Sequence, residues 1–374
     1  MGSISVHARS SSSLSPFVSV IIVNYGRGWL PKCLPSIVAT DYPRSRLEII
    51  IVDNASGDDL ASIKKTFPEV KLVALSKNVG YAKAANIGVE NSRGEYVALL
   101  NNDVMVNLDW LDKLVGVLER DENVAAVCPR KKSFLLDQML DGCGGAINVL
   151  GQGWDRGEGE VDVGQFSDFD EVTHPPGAIF LTRRKVIDEI GFFLNPDFFM
   201  LIEDVDFGLR CWKAGYKVVY TPNCVVRHAR SPTLGGLSER NLYPYTKNLL
   251  ATMFEIFDLS IFIRLLPIIT LTQTAQAFYL LYFHGKCHAV PSVLKAIKDF
   301  LFDLRLYSRR RVRADKVDDR AILGKFSRSL ITFEESRRHE SLIRVFLSVA
   351  NLYVRFTLLA QPIKKIIYLG KSPR

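Results

Sequence analysis

Two patterns alternate between positions 17 and 128, and together they restrict the fold more than any other feature of the chain. Short apolar runs rich in β-branched residues lie at 17–23, 47–52, 70–75, 95–100 and 124–128. Runs this short and apolar on both faces suit strands buried inside a parallel sheet. Between them, 29–39, 58–67, 81–91 and 108–120 carry apolar residues at helical spacing. Strand and helix in turn predict an α/β fold with an open, mostly parallel twisted sheet and right-handed crossovers. The runs end in polar or glycine-bearing turns: Asn24-Tyr25-Gly26, Asp53-Asn54-Ala55-Ser56-Gly57 and Asn101-Asn102-Asp103. Ligands of open α/β sheets bind at the carboxyl ends of the strands, so these turns mark the expected site.

Further along, 142–164 holds eight glycines and reads as an irregular hairpin or a flap. A strand is expected at 179–182, short helices at 184–190 and 203–214, and a last strand at 217–221. An aromatic loop with Phe192, Phe193, Phe198 and Phe199 precedes the second of these helices.

With 374 residues, 48% of them apolar, the chain is long enough for one large domain plus an appendage and is not globally disordered. The expected division is a serine-rich disordered tail at 1–16, without a secretory signal, a catalytic domain at 17–240, and a helical region at 241–374. Charge supports the last boundary. Residues 1–230 hold 25 Lys and Arg against 29 Asp and Glu, a net of −4; residues 231–374 hold 23 against 11, a net of +12. Nucleic acid and an anionic membrane surface both attract a basic segment. Here the basic excess coincides with apolar helical stretches. Residues 265–283 are uncharged, and Arg344, Ser348, Asn351 and Arg355 share one stripe of a mostly apolar helix. The membrane surface is therefore the expected partner, with no nucleic acid; the alternative is that these stretches are core helices packed on the sheet domain. The six cysteines form no CxxC pair and read as reduced thiols of a cytoplasmic protein.

The chemistry is expected from acids at strand ends. Asp53 and Asp103 fall on one sheet edge, which calls for a cation or hydrogen-bond donors between them. A hard divalent ion bridging phosphates takes one or two carboxylates plus water. His228, ending a strand-like run, can add an imidazole, a donor that suits manganese. Glu203, Asp204 and Asp206 open a helix behind apolar Phe198, Phe199 and Met200, an arrangement that raises a carboxylate toward general-base range. There is no GxGxxG, GxxxxGK[ST] or GxSxG, which argues against dinucleotide enzymes, P-loop kinases and serine hydrolases.

Six segments carry a family resemblance: VSVIIVNY (18–25), IIIVDNASGD (49–58), NVGYAKAANIG (78–88), YVALLNNDV (96–104), GAIFLTRR (177–184) and EDVDFGLRCWKAGYKVVYTPNCVVRH (203–228). In this order and spacing the chain resembles family 2 glycosyltransferases of the GT-A fold, in the rhamnosyltransferase-like bacterial and archaeal branch. The resemblance implies an inverting transfer from a nucleotide-diphosphate sugar, with Mn2+ or Mg2+, to a hydroxyl of a glycan or lipid-linked acceptor at the cytoplasmic membrane face. It implies Asn24, Tyr25 and Asp53 at the nucleotide, and Asn78 and Asn86 facing it and the diphosphate. Asn101-Asn102-Asp103 stands at the place of the DxD motif, with Asn for the first acid. Asp103 and His228 are then the metal ligands, Asn102 a donor contact, Asp204 the base, Glu203 its orienting partner, and Gly177 a close backbone approach to the sugar. A sugar nucleotidyltransferase would share such a sheet, but Gly26-Arg27-Gly28 with Lys32 is a poor triphosphate loop. A non-catalytic scaffold would have no need of Asp103, Glu203 and Asp204.

Overall fold

The computed structural model describes residues 15–26, 28–229, 239–311, 316–333, 340–357 and 363–369. Most of the serine-rich tail, Arg27, and the 312–313 end of the basic cluster lie outside the described residues.

The predicted strands form at β1 (Val18–Asn24), β2 (Leu47–Asp53), β3 (Lys71–Ala74) and β4 (Tyr96–Asn101). They are followed by β5 (Val104–Val106), β6 (Val124–Ser133), β7 (Leu140–Gly142), β8 (Gly145–Ile147) and β9 (Gly153–Asp155). The series closes with β10 (Asp170–Glu171), β11 (Ile179–Arg183) and β12 (Lys217–His228). The main sheet runs β10-β12-β6-β11-β4-β1-β2-β3, with β5 and β7 paired at its rim. The half from β3 to β4 is parallel, as expected. Beyond it β11 enters antiparallel between β4 and β6, so the whole is a mixed sheet. That insertion matters for the site, because it brings the amino end of β11 to the carboxyl end of β4.

Helices cover both faces: α1 (Leu30–Val38), α2 (Leu60–Thr66), α3 (Tyr81–Glu90), α4 (Trp110–Arg120), α5 (Arg184–Glu189) and α6 (Glu203–Lys213). Every residue of β1 is buried, yet the strand still alternates. Val20 and Ile22 face a core with α1 and α4, while Ile21 and Val23 face a second core under α3 and α6. Burying each such side chain contributes about 1.5–3 kcal/mol. The α3 helix lies close on β1 because position 88 is glycine; a Cβ there would collide with Ile21.

The carboxyl-terminal third is α7 (Glu239–Ile256), α8 (Leu259–His284), α9 (Ala289–Phe302), α10 (Leu304–Arg310), α11 (Asp319–Gly324) and α12 (Glu340–Thr357), with a small parallel pair β13 (Ser329–Phe333) and β14 (Lys365–Leu369). Leu249, Leu250 and Met253 of α7, and Phe257 just after it, enter the same core as Phe180, Phe207 and Cys211. The α8 helix is long and apolar enough to cross a membrane, but 44% of its most apolar window is buried in the protein. Leu265, Ile268, Ile269 and Ala277 face inward, whereas Ile263, Leu271, Phe278 and Tyr282 are exposed. The polar stripe expected on 342–359 is partly internal, since Asn351 exchanges two hydrogen bonds with the backbone of Ile363, at 2.9 and 2.8 Å. The six cysteines are free, and only Cys287 is exposed.

Candidate active site

The parallel register sets Asn24 beside Asp53 and Val23 beside Asn101, so three strand ends finish at one level. The buried Asn24 donates Nδ2 to Asp53 Oδ1 at 2.7 Å and to Ser56 Oγ at 2.9 Å, with Asp58 Oδ2 at 3.1 Å. Asn102 donates to Asn24 Oδ1 at 2.7 Å and to the Tyr25 carbonyl at 3.2 Å. Asn24, Asp53 and Asn102 thus form one rigid polar network, with the Tyr25 ring 47% exposed at its lip. Ser56 and Asp58, which belong to the same turn as Asp53, were not singled out as site residues by the sequence reading; their place in that turn is the signal that finds them.

Asn78 and Asn86 have separate tasks. Asn78 Oδ1 accepts from Asn54 Nδ2 and from the Gly80 backbone, both at 2.9 Å, which shapes the turn into α3. Gly80 sits at φ +90°, and a Cβ there would lie 2.5 Å from the Phe199 carbonyl oxygen. Only glycine tolerates both the backbone conformation and the contact. Asn86 uses both side-chain groups on the backbone of Leu194, at 2.7 and 3.0 Å, and so anchors the aromatic loop instead of joining the strand-end network.

Asp103 follows β4 and meets the end of β12 across β5, where His228 pairs with Val104. His228 Nε2 lies 3.2 Å from Asp103 Oδ1, and its Nδ1 lies 2.9 Å from Asp141 Oδ2. Asp141, on β7, also faces the buried Lys131 at 3.5 Å. Lys131 in turn pairs with Asp155 at 2.5 Å. Burial pulls the imidazole down, but Asp141 and then Asp103 outweigh it and push it up to about 9. Asp141 was invisible in the sequence, because β7 reaches His228 only through the fold.

The other wall begins at Gly177. Asn101 donates its backbone N–H to Ala178 O at 2.9 Å, which docks the start of β11 on the end of β4. Gly177 donates its backbone N–H to Asp204 Oδ2 at 3.0 Å. Tyr81 donates its hydroxyl to the Gly177 carbonyl at 2.8 Å. Burial, then Glu203, Asp204 and Asp103, hold the Tyr81 phenol well above its ordinary range. Tyr81 therefore feels the carboxylates of both walls. Glu203 is pushed up to about 8 by desolvation and by Asp204 beside it, and its Oε2 is enclosed with no hydrogen-bond partner among the described residues. Immediately before this pair, Leu201 and Ile202 both stand at φ +70°. Two successive non-glycine residues there are costly, at about 1–3 kcal/mol each, and persist only where the surroundings enforce them.

The glycine-rich segment is a packed hairpin at its start, not a flap. Residues 142–152 are all buried. Asn148 closes the β8–β9 turn by accepting from Leu150 and Gln152 at 3.0 and 3.1 Å. Trp154 on β9 is half-buried.

Comparison with known proteins agrees with this geometry. The family model described as Glycosyl transferase family 2 matches residues 19–191, and that described as Glycosyl transferase family group 2 matches 158–297. The glycosyltransferase AglE of Haloferax volcanii is 24% identical over 230 residues, covering 59% of this chain and 69% of its own. The N-acetylglucosaminyl-diphospho-decaprenol L-rhamnosyltransferase of Mycobacterium tuberculosis is 28% identical over 256 residues, covering 59% and 79%. Among solved structures, GalNAc-T7 with UDP, GalNAc and Mn2+ superposes with a TM-score of 0.56 at 17% identity, over 81% of this chain and 59% of that one. An S. aureus TarS fragment in complex with UDP-GlcNAc gives 0.53 at 12% identity, over 92% of each chain. These structural likenesses define the GT-A fold. The chain belongs to the family 2 glycosyltransferases, in the bacterial and archaeal branch. It is an enzyme of glycosyl transfer in glycoconjugate synthesis.

Proposed function

We propose that the protein transfers a sugar with inversion from a nucleotide-diphosphate donor to a hydroxyl of a glycan or lipid-linked acceptor. The observation that carries this reading is the link from Asp103 to Asp204 through Asn101, Ala178 and Gly177, which supports reading Asp103 as the cation ligand and Asp204 as the base of one site. The network of Asn24, Asp53 and Asn102, with Tyr25 at its lip, receives the nucleoside.

The residues at Asp103 fit a hard divalent cation. Its buried carboxylate faces an imidazole nitrogen, and the opposite ring nitrogen is held by Asp141, the outer carboxylate that orients a metal-bound histidine. Among the described residues no three His, Cys, Asp or Glu side chains could hold a metal together. Asp103 and His228 would hold such an ion, and magnesium and manganese on nucleotides ordinarily take further ligands from phosphate oxygens and water. Bound there, the ion supplies positive charge to the leaving diphosphate.

Asp204 accepts the proton of the incoming hydroxyl. The Gly177 N–H and the Val205 N–H, at 3.0 and 2.8 Å, fix its two oxygens and leave them room for a third donor. Glu203, pushed up to about 8 by desolvation and by Asp204, stays neutral beside it at neutral pH. Gly177 has no side chain between Asp204 and the donor sugar.

The acceptor is brought by the membrane surface. The exposed apolar faces of α8 and α9, including Leu271, Phe278, Tyr282, Leu301 and Phe302, lie within the segment of net charge +12. Apolar surface plus basic charge suits shallow binding to anionic lipid on the cytoplasmic side. A thermal-shift screen of uridine, guanosine and thymidine diphosphate sugars, with and without Mn2+ or Mg2+, tests the donor reading. A donor stabilises the fold, more so with metal, because it binds only the native state. No shift with any donor overturns it.

A further inference from the structure

The strained turn at Leu201 and Ile202 presents Glu203 and Asp204, and its backbone is not held by its own helix alone. Asn248, buried on α7, donates its side-chain amide to the Met200 carbonyl at 3.0 Å and to the Leu201 carbonyl at 2.9 Å. Both amide hydrogens are thus spent on the two carbonyls leading into the turn. On the other side, Tyr81 donates its backbone N–H to the Phe199 carbonyl at 2.7 Å.

Asn248 does not act alone on α7. Tyr245, one turn earlier on the same face, accepts from the Gly153 N–H at 2.9 Å and donates to the Gly151 carbonyl at 3.0 Å. Thr252, one turn later, reaches Asp206 Oδ1 at 3.5 Å. Positions three, four and seven apart share one helix face. This face holds the β8–β9 hairpin, the 200–202 turn and the first turn of α6, which carries Asp204. Below them Asn195 donates to Glu255 at 3.1 Å, which ties the aromatic loop to the same helix.

We propose that Asn248 is a positioning residue for the base: it keeps the left-handed Leu201–Ile202 turn in place, and so α7 belongs to the catalytic unit and not to a detachable tail. Without its amide, two part-buried carbonyls lose their donor and the turn relaxes toward ordinary φ values. Glu203 and Asp204 begin the helix that follows, so they move with it. A displacement of about 1 Å at a reacting group costs on the order of 100-fold in rate. This inference rests on the assignment of Asp204 as the base.

The test compares Asn248→Ala and Asn248→Ser with the parent full-length chain. Turnover is read as nucleoside diphosphate release from the same donor panel, with a membrane lipid extract as acceptor source. Hydrogen exchange is read on the free protein. Asn248→Ala lowers kcat about 10- to 100-fold with the donor KM within about threefold, and Asn248→Ser, keeping one donor, falls between. Amides of 203–206 exchange at least tenfold faster, while those of β1 and β4 keep their rates. Adding Leu201→Gly to Asn248→Ala restores a large part of kcat, because glycine adopts φ +70° without strain. An unchanged kcat, a loss seen only in KM, unchanged exchange at 203–206, or no rescue by Leu201→Gly overturns the proposal. Should Asn248→Ala not fold, the serine variant and its Leu201→Gly partner decide by the same criteria. Asp204→Asn separates the two levels. If that variant is inactive while Asn248→Ala is fully active, only the role of Asn248 falls; if Asp204→Asn is fully active, the base assignment itself falls.

Discussion

Gly177 and Asp204 are joined within one wall of the site: the backbone N–H of the first donates to Oδ2 of the second at 3.0 Å, although they stand 27 positions apart in the chain. This bond fixes the carboxylate relative to the end of β4, where Asn101 and Asp103 lie, and so relates proton removal to the place where the donor diphosphate is expected.

Replacing Asp204 by Asn leaves one oxygen to accept from Gly177, gives up the bond from Val205 and removes the basic oxygen. General-base catalysis contributes about 100- to 10,000-fold. The expected outcome is a kcat reduced by that range with donor affinity, measured by calorimetry, unchanged.

Asp141, held behind His228, is expected to tune cation affinity without touching the cation. Outer-shell carboxylates behind a metal-binding histidine are typically worth about 10- to 100-fold in affinity. Asp141→Asn is therefore expected to weaken Mn2+ binding by this factor, read by electron paramagnetic resonance titration in the presence of a nucleoside diphosphate. His228→Ala should weaken it further. Equal Mn2+ affinity in Asp141→Asn and the parent removes the outer-shell role.

Glu203 makes stability depend on pH in a defined direction. Its folded value of about 8 lies above the ordinary 4.5. Below pH 4.5 both states hold the proton and the group has no effect. Between 4.5 and 8 the unfolded chain loses its proton first, so stability falls as pH rises. Glu203→Gln should thus gain stability over the parent progressively from pH 5 to pH 8 in denaturant titrations, and hold that gain above it. A constant difference across this range contradicts the assignment.

Gly80→Ala confronts both a left-handed backbone and the Phe199 carbonyl. A loss of about 1–3 kcal/mol is expected in chemical denaturation, together with faster exchange in 78–81. Gly116→Ala, where a Cβ meets nothing within 4 Å, is the matched control and should be neutral or stabilising.

Membrane binding is best tested by point changes, since a cut after 242 also removes the α7 core residues and Asn248. Leu271→Ser, Phe278→Ser and Tyr282→Ser together change only exposed positions of α8. The triple variant should keep its melting temperature and float less with anionic vesicles. Parent binding should weaken as salt rises from low to physiological ionic strength, because exposed charges are screened beyond about 8–10 Å. Parent protein that ignores anionic vesicles at low salt contradicts the membrane reading.

The strand-end turns were legible because their signals are local. An apolar run followed by Asn24-Tyr25-Gly26 or by Asn101-Asn102-Asp103 announces a strand and its carboxyl end within ten residues. Asn24, Asp53, Asn102 and Asp103 lie in such turns and His228 ends a strand-like run, whereas Asp204 stands in an acidic helix start and Gly177 was named only by the family resemblance; the fold gathers them on one edge. For the 142–164 glycines the hairpin alternative is the one that forms, and its burial was not legible because glycine content reports turns and not burial. Asn86 was expected at the donor, yet its side chain is committed to Leu194.

What the chain determines by itself is therefore the period and punctuation of its elements, from which the sheet and its ligand-bearing edge follow. What only the tertiary structure decided is which distant side chains steady that edge: Asp141 behind His228, Tyr81 under Gly177, and Asn248 against the Leu201 turn. The physical reason is that hydrophobic periodicity is written along the chain, whereas a hydrogen-bond partner is chosen by whatever packing brings within about 3 Å.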